Sequence, residues 1–338
     1  MSPVLVTGAA GFIGAAVSAR LLAQGVPVVG IDNFNAYYDV RIKEARAERL
    51  QQHPGFTLHR LDLAERGAVA AVMAASRPDR VVHLAAQAGV RYAATDPHAY
   101  TRANIDGFLN LLEALRVHPV AHLVYASTSS VYGSNREMPF AESATTDHAL
   151  TLYAATKKAN EVMAHAYAHL FGIPCTGLRF FTVYGPWGRP DMALFKFARA
   201  MLSDQPIQLY NHGQHGRSFT YIDDIVEGVL RVLARPAVPD ADAADADPGR
   251  SRVAPYAIYN IGSETEVPLR RYVELLEQAL GRRARIELLP LQPGDVERTS
   301  ADMGRLRERV AYCPQVPVEV GIQRFVEWFL AHPALTLG

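Results

Sequence analysis

The sequence predicts an α/β protein, built on a doubly wound parallel sheet with a smaller mixed α/β domain attached. Three observations predict it. Short apolar runs alternate with helical patterns along the first half of the 338 residues. Glycines fall as Gly8-x-x-Gly11-x-x-Gly14 between the first apolar run and the first helical pattern. Beyond residue 182 the elements become shorter and mixed.

Residues 3–7 (Pro-Val-Leu-Val-Thr) form a short apolar strand, and a helix is expected over 15–24. Between them Gly8 allows a tight turn, Gly11 lets the backbone approach a pyrophosphate, and Gly14 lets helix and strand pack closely. A second strand over 26–31 ends at Asp32. A carboxylate there accepts hydrogen bonds from ribose hydroxyls and repels a 2′-phosphate, which favours NAD over NADP. Glycines, flanking elements and Asp32 together point to a Rossmann-type dinucleotide-binding unit.

Residues 33–49 are a polar, helix-prone excursion, in which Asn33, Asn35 and Lys43 either line the adenosine pocket or stand in solvent. A third strand over 56–61 ends at Asp62-Leu63. The Asp62 carboxylate either meets an adenine amino group, caps the helix expected from Ala64, or does both. A fourth strand over 80–84 ends at Leu84, and Ala85-Ala86-Gln87-Ala88-Gly89 follows. Small residues at a strand's carboxyl end leave room for a cofactor in the crevice where open α/β sheets bind ligands. A helix is expected over 100–117, with Ile105, Phe108, Leu109, Leu112 and Leu115 on its apolar face. Asn104 within it is either a surface amide or a hydrogen-bond partner behind the site.

A fifth strand over 121–126 runs into Ser127-Thr128-Ser129-Ser130, and a helix over 152–171 carries Tyr153 and Lys157. Those two side chains sit one turn apart on one face. A phenol with a pKa of about 10 is a poor base at neutral pH. A neighbouring lysine cation favours the phenolate and makes Tyr153 a better proton acceptor. A strand-end hydroxyl at Thr128 is placed to relay a proton between an alcohol and Tyr153. The helix's other face, Ala159, Val162, Ala166 and Leu170, is small and apolar. With the 100–117 helix it either builds a four-helix homodimer contact or packs within the chain.

A sixth strand over 176–181 leads into a turn-rich crossing over 182–191. Strands over 207–210 and 218–221 flank a loop holding Arg217. Asp223-Asp224 reads as the cap of a helix to Leu233. No further ligands accompany these carboxylates, so no metal site is expected. Residues 236–255 are poor in apolar side chains and read as a mobile surface insertion. A strand over 258–262, a helix over 269–280, a strand over 286–289, a loop over 294–298 and a helix over 318–332 complete the chain. The expected division is a dinucleotide-binding domain over 1–181, to which 218–262 partly returns, and a substrate domain over 182–217 and 263–332.

Composition excludes other classes. Lys plus Arg and Asp plus Glu number 34 each, so no basic field suggests nucleic acid. No apolar run is long enough for a membrane span, and no signal peptide precedes the first strand. Two distant cysteines, Cys175 and Cys313, suit buried thiols in a reducing cytoplasm.

The set Thr7-Gly-x-x-Gly-x-x-Gly14, Asp32, Asp62, Thr128, Tyr153-x-x-x-Lys157 and Arg179-Phe-Phe-x-Val-Tyr-Gly185 resembles the extended short-chain dehydrogenase/reductases. Within them the chain is similar to the NAD-dependent nucleotide-sugar 4-epimerases, above all the branch acting on UDP-glucuronate. Residues 32–39, 179–192 and 217–224 carry that likeness. Thr182 stands where the UDP-galactose epimerases have Asn. Ser129-Ser130 stand where sugar 4,6-dehydratases have an Asp-Glu pair, so dehydration is not expected.

The resemblance implies a catalytic set of Thr128, Tyr153 and Lys157, and an NAD⁺ that stays tightly bound and is regenerated each turnover. Cofactor contacts extend to Phe12, Ile13, Leu63, Leu84, Ala85 and Ala86, and include Tyr153 and Lys157. Arg217 and Arg298 would hold the UDP phosphates, as guanidinium forks suit. Phe195, Lys196, Phe197, Gln208 and Tyr210 are candidates for the uridine pocket. Thr182, Arg189 and Arg91 are candidates for the sugar carboxylate, with Gln87, Ser129 and Ser130 nearby. The alternatives are a UDP-glucuronate decarboxylase, a UDP-galactose 4-epimerase and a non-catalytic NAD-binding sensor or scaffold.

Overall fold

The computed structural model describes residues 2–244, 246–292 and 296–337. Seven parallel strands form the main sheet: β1 (Val4–Thr7), β2 (Val28–Asp32), β3 (Phe56–Arg60), β4 (Arg80–His83), β5 (His122–Thr128), β6 (Cys175–Phe180) and β10 (Tyr256–Ile261). Their spatial order is β10-β6-β5-β4-β1-β2-β3. The chain therefore reverses direction across the sheet between β1 and β4, the crevice where doubly wound sheets bind ligands. Every residue of β1, β2 and β6 is buried, as sheets covered on both faces require.

Helices cover both faces. On one, α1 (Phe12–Ala23) packs against α8 (Ile222–Leu233), and α2 (Val40–Gln51) lies beside α1. On the other, α3 (Ala68–Ser76) meets α5 (Gly107–Val117), and α5 meets α6 (Leu152–Phe171). Each face has its own core: Val17, Leu21, Ile225 and Val229 on the first, Val72, Leu111, Leu115 and Ala164 on the second. The helix expected over 100–117 is broken into α4 (Pro97–Tyr100), a wide turn of π-helix over Thr101–Asp106, and α5. The reason is local: Asn160 Nδ2 donates to the Asn104 carbonyl at 2.6 Å, competing with the ordinary ladder.

The smaller lobe holds β7 (Thr182–Tyr184), β9 (Gly216–Tyr221) and β11 (Glu266–Pro268), in the order β11-β9-β7. A parallel pair, β8 (Ile207–Leu209) and β12 (Ile286–Leu288), adds to it. The helices α7 (Ala193–Leu202), α9 (Leu269–Leu280) and α11 (Val318–Ala331) complete this half, apart from a short C-terminal α12 (Pro333–Thr336), while α10 (Gly304–Val310) packs against β10 and α8. The return to the main sheet begins with α8 and not at 218, because 218–221 pair within the small sheet.

Three expectations need correcting. Of the insertion expected over 236–255, the described residues 236–244 and 246–255 are packed, not loose: Ala243 and Ala254 are fully buried, Arg250 Nε donates to Asp240 at 2.6 Å, and the Asp240 amide donates to the Ser251 carbonyl at 2.8 Å. Asp224 is no helix cap; its carboxylate accepts from the amides of Gln315 at 3.0 Å and Val316 at 2.9 Å, pinning the segment before α11. Of the cysteines only Cys175 is buried, while Cys313 is exposed. Of the loop expected over 294–298, residues 294 and 295 lie outside the described residues. Among the described residues, no helix is long and apolar enough to cross a membrane.

Candidate active site

A cleft of about 350 Å³ opens over the carboxyl ends of the central strands. It collects every residue expected on the cofactor side: Gly8, Gly11, Phe12, Ile13, Gly14, Asp32, Asn33, Asn35, Lys43, Asp62, Leu63, Leu84, Ala85 and Ala86. The glycine turn has no space for side chains. A Cβ at Gly14 would stand 2.0 Å from the Gly8 carbonyl oxygen, and one at Gly8, whose φ is +69°, would stand 2.8 Å from the Ala85 nitrogen. The turn thereby closes on the loop after β4. The α1 N-cap is Gly11, with no side chain on its free amides, which suits a pyrophosphate. Asp32 is buried at the end of β2 and accepts from the amides of Ala10 at 3.0 Å and Phe34 at 2.9 Å. This cradle and acid fit a dinucleotide without a 2′-phosphate.

Lys43 is buried, not solvated. Its Nζ donates to the Asn35 side chain at 2.9 Å and lies 3.9 Å from Asp32. Burial pushes its pKa down, and the Asp32 charge partly offsets this. Asp62 serves as a turn acceptor, bonding the Ala64 amide at 2.9 Å, and pairs with Arg102 at 3.0 Å while lining the cleft.

The same cleft contains Thr128, Ser129, Ser130, Tyr153, Lys157, Gln87, Thr182 and Arg189. Burial pushes the Tyr153 phenol up, opposed by the Arg189 guanidinium and by a hydrogen bond with Thr128. Lys157 is fully buried, and burial pushes its pKa down to about 7, with Glu161 opposing. Lys157 stands one turn on from Tyr153 in the same helix. The Arg189 fork grips Asp191 at 3.0 and 2.5 Å, and Tyr37 donates to the same carboxylate at 3.1 Å.

Behind the helix, Glu161 accepts from Ser127 at 2.6 Å and from Arg179 at 2.9 and 3.0 Å, all three side chains being buried. Burial alone would raise the Glu161 carboxyl, but Arg179 and Ser127 outweigh it and hold it low. Asn104 works as a staple: it bonds the Gln87 backbone at 2.8 and 3.1 Å and Thr156 at 2.9 Å. It thereby fixes the loop after β4 to the Tyr153 helix.

The remaining substrate-side candidates do not line this cleft. Phe195 is 1% exposed and packs on Phe329 and Trp328, because α7 turns that face inward; it belongs to the core. Phe197 is also buried, and Lys196 points to solvent. Gln208 is exposed and bonds Glu287 at 3.0 Å. The Arg91 guanidinium lies 4.6 Å from the Tyr210 ring, joining the loop after β4 to the smaller lobe. Arg217 donates to the carbonyls of Gly216 and Glu297, and exposed Arg298 pairs with Glu266 at 2.9 Å. They sit on adjoining segments, since Gly216 bridges Arg298. Sequence reasoning missed Tyr37 and Ser127 as site residues; an aromatic pair (Tyr37-Tyr38) inside a polar excursion was the available signal.

A family described as the NAD dependent epimerase/dehydratase family matches residues 4–262. A probable UDP-glucuronate 4-epimerase of Rhizobium meliloti (strain 1021) is 47% identical over 327 residues, covering 96% of this chain and 96% of that protein. UDP-glucuronate 4-epimerase 3 of Arabidopsis thaliana is 43% identical over 335 residues, covering 97% of this chain and 76% of that protein. The crystal structure of UDP-glucuronic acid 4-epimerase from Bacillus cereus, in complex with UDP-glucuronic acid and NAD, superposes with a TM-score of 0.86. It is 31% identical and covers 96% of this chain and 98% of that one.

Proposed function

The chain belongs to the NAD-dependent epimerase/dehydratase family, and from that premise we propose that it is a UDP-glucuronate 4-epimerase, forming UDP-galacturonate. The observation that carries this reading is the meeting of Thr128, Tyr153, Thr182 and Arg189 in one cleft with the glycine cradle and Asp32. A proton acceptor, a carboxylate-binding pair and a dinucleotide seat then face the same sugar.

In this mechanism NAD, held in that seat, would supply the hydride acceptor and donor for C4. The glycine turn would hold its pyrophosphate, and Asp32 its adenosine ribose. Asn33, Asn35, Lys43, Asp62 and Leu63 surround the adenosine end, and Leu84 to Ala86 with Lys157 the other. Tyr153, as the phenolate that the Lys157 cation favours, takes the C4 hydroxyl proton, directly or through Thr128, and gives it back after the 4-keto sugar has turned over about its pyrophosphate linkage. That turnover needs firm UDP binding and a loosely held sugar. Arg217 and Arg298 hold the phosphates, which requires Arg298 to leave Glu266. The smaller lobe supplies the uridine side through Lys196, Gln208 and Tyr210.

The 4-keto intermediate is a β-keto acid. It loses CO₂ when the C5–carboxylate bond stands perpendicular to the carbonyl plane. Thr182 and Arg189, with the serines, keep the carboxylate away from that geometry.

The test is incubation with UDP-glucuronate and no added cofactor, followed by NMR of the sugar. UDP-galacturonate supports the reading. UDP-pentose with CO₂ replaces it by a decarboxylase, and unchanged substrate overturns both.

The assembly we assign is a homodimer of a cytoplasmic enzyme, joined through the outer faces of α5 and α6. Leu109, Val117, Val162, Leu170 and Phe171 stand exposed there. Light scattering on Val162→Asp checks it: a monomer is expected, and an unchanged mass removes the assignment.

A further inference from the structure

Arg46 on α2 is 1% exposed, and among the described residues no carboxylate pairs with it. All five N–H donors of its guanidinium are nevertheless used. Nη1 donates to the Ala10 carbonyl at 3.1 Å and to the Tyr38 hydroxyl at 3.0 Å. Nε donates to the Trp187 carbonyl at 3.0 Å, and Nη2 to the carbonyls of Trp187 at 2.5 Å and Gly188 at 2.9 Å. Ala10 belongs to the glycine turn. Trp187 and Gly188 immediately precede Arg189. The Trp187 backbone sits at φ +61°, a region that side-chain-bearing residues avoid, so something must hold it there. Arg49, one helical turn on, lies 4.4 Å from the Trp187 ring and braces the same turn.

A buried cation whose hydrogen bonds all go to neutral groups, with only the Asp32 charge favouring it from further off, is costly, and apolar packing would be cheaper if shape alone mattered. What the fork supplies is geometry: one rigid plane joins three segments far apart in sequence. We propose that Arg46 is a positioning residue that locks the turn presenting Arg189 to the turn that cradles the dinucleotide. Retention of NAD and selection of a carboxylate-bearing sugar are thereby set by one side chain. The sugar half of this proposal rests on the function given above; the NAD half does not.

The test compares wild type with Arg46→Lys and Tyr38→Phe, all as purified holoprotein. Lysine keeps the charge but has three donors and no plane, so it cannot reach all three segments. NAD released per protomer on denaturation is measured, together with the Kd of UDP-glucuronate and of UDP alone. Arg46→Lys is expected to lose most of its NAD and to weaken UDP-glucuronate about tenfold, while UDP shifts less than about twofold. Tyr38→Phe, which removes one bond and keeps the shape, moves both readouts the same way by less. It carries the test if Arg46→Lys does not fold. Unchanged NAD content and UDP-glucuronate affinity overturn the proposal, as does an equal loss of UDP affinity, which marks general damage. A wild type that holds NAD but does not epimerise overturns the function, and NAD loss in the variants still decides the clamp.

Discussion

The Ser127 hydroxyl donates to Glu161 at 2.6 Å, and this one bond fastens the end of β5, where Thr128 sits, to the helix carrying Tyr153 and Lys157. Arg179 on β6 closes the arrangement from the far side at 2.9 and 3.0 Å. Three elements that each contribute to the cleft are thus cross-linked beneath it by one carboxylate. Removing that carboxylate should loosen the site and leave the Arg179 cation buried without an acid. Glu161→Gln is therefore expected to cost about 3–5 kcal/mol of unfolding free energy, measured by urea denaturation. A loss under about 1 kcal/mol would show that the pair contributes little.

Tyr153→Phe keeps the ring and its packing on Tyr100, at 6.3 Å between centroids, and removes only the hydroxyl. If Tyr153 moves the C4 proton, kcat should fall about 10²–10⁴-fold. Bound NAD and thermal stability should stay near wild type, because the phenol supports neither the glycine turn nor the core. Activity within a few-fold of wild type would remove Tyr153 from the mechanism.

The nucleotide half of this cleft was legible in the sequence because its chemistry is local. Gly8, Gly11, Gly14 and Asp32 each sit at the end of an element whose period is plain, and all line the cleft. Tyr153 and Lys157 were legible for the same reason, being one turn apart on a helix whose bounds, Leu152–Phe171, the pattern also gave. The smaller lobe was not. Its strands are three to six residues long, too short for a period to declare itself. Phe195 looked like a pocket aromatic and proved to be core, since one residue's type does not say which way its helix faces. Arg46 was invisible as a site residue: apart from the Tyr38 hydroxyl its partners are backbone carbonyls at positions 10, 187 and 188, and carbonyls leave no mark in a sequence.

Thr182→Val tests the restraint on the sugar carboxylate. Thr182 opens β7 and lines the cleft beside Arg189. Valine keeps the shape and deletes the hydrogen bond, so the carboxylate is freer to swing perpendicular to the C4 carbonyl. NMR of the products should show a larger share of UDP-pentose than wild type makes. An unchanged product ratio would assign the restraint elsewhere.

Gly14→Ala tests the cradle. The added Cβ would stand 2.0 Å from the Gly8 carbonyl oxygen and 2.8 Å from its carbon, both backbone atoms that cannot rotate away. The glycine turn must move, at a cost of about 1–3 kcal/mol. NAD content after purification should fall sharply, while Gly25→Ala, which meets nothing within 4 Å, tests backbone strain alone and should retain NAD. Equal NAD content in wild type and Gly14→Ala would show that the cofactor does not depend on this turn.

Lys157 makes stability itself depend on pH. Its pKa is pushed down to about 7 in the folded chain, against about 10.4 for a free lysine. Below pH 7 both states carry the proton, and the folded state bears the whole burial penalty of the cation. Between about pH 7 and 10 the unfolded chain binds more protons than the folded one, so this group's contribution to stability rises with pH. Lys157→Met has no charge to bury and lacks this slope. The stability of Lys157→Met relative to wild type should therefore be greatest at pH 6 and shrink by pH 9, read from urea midpoints at the two values. A difference that stays constant across that window would mean that Lys157 keeps its proton throughout, and that a neighbour compensates its burial more fully than Glu161 does here.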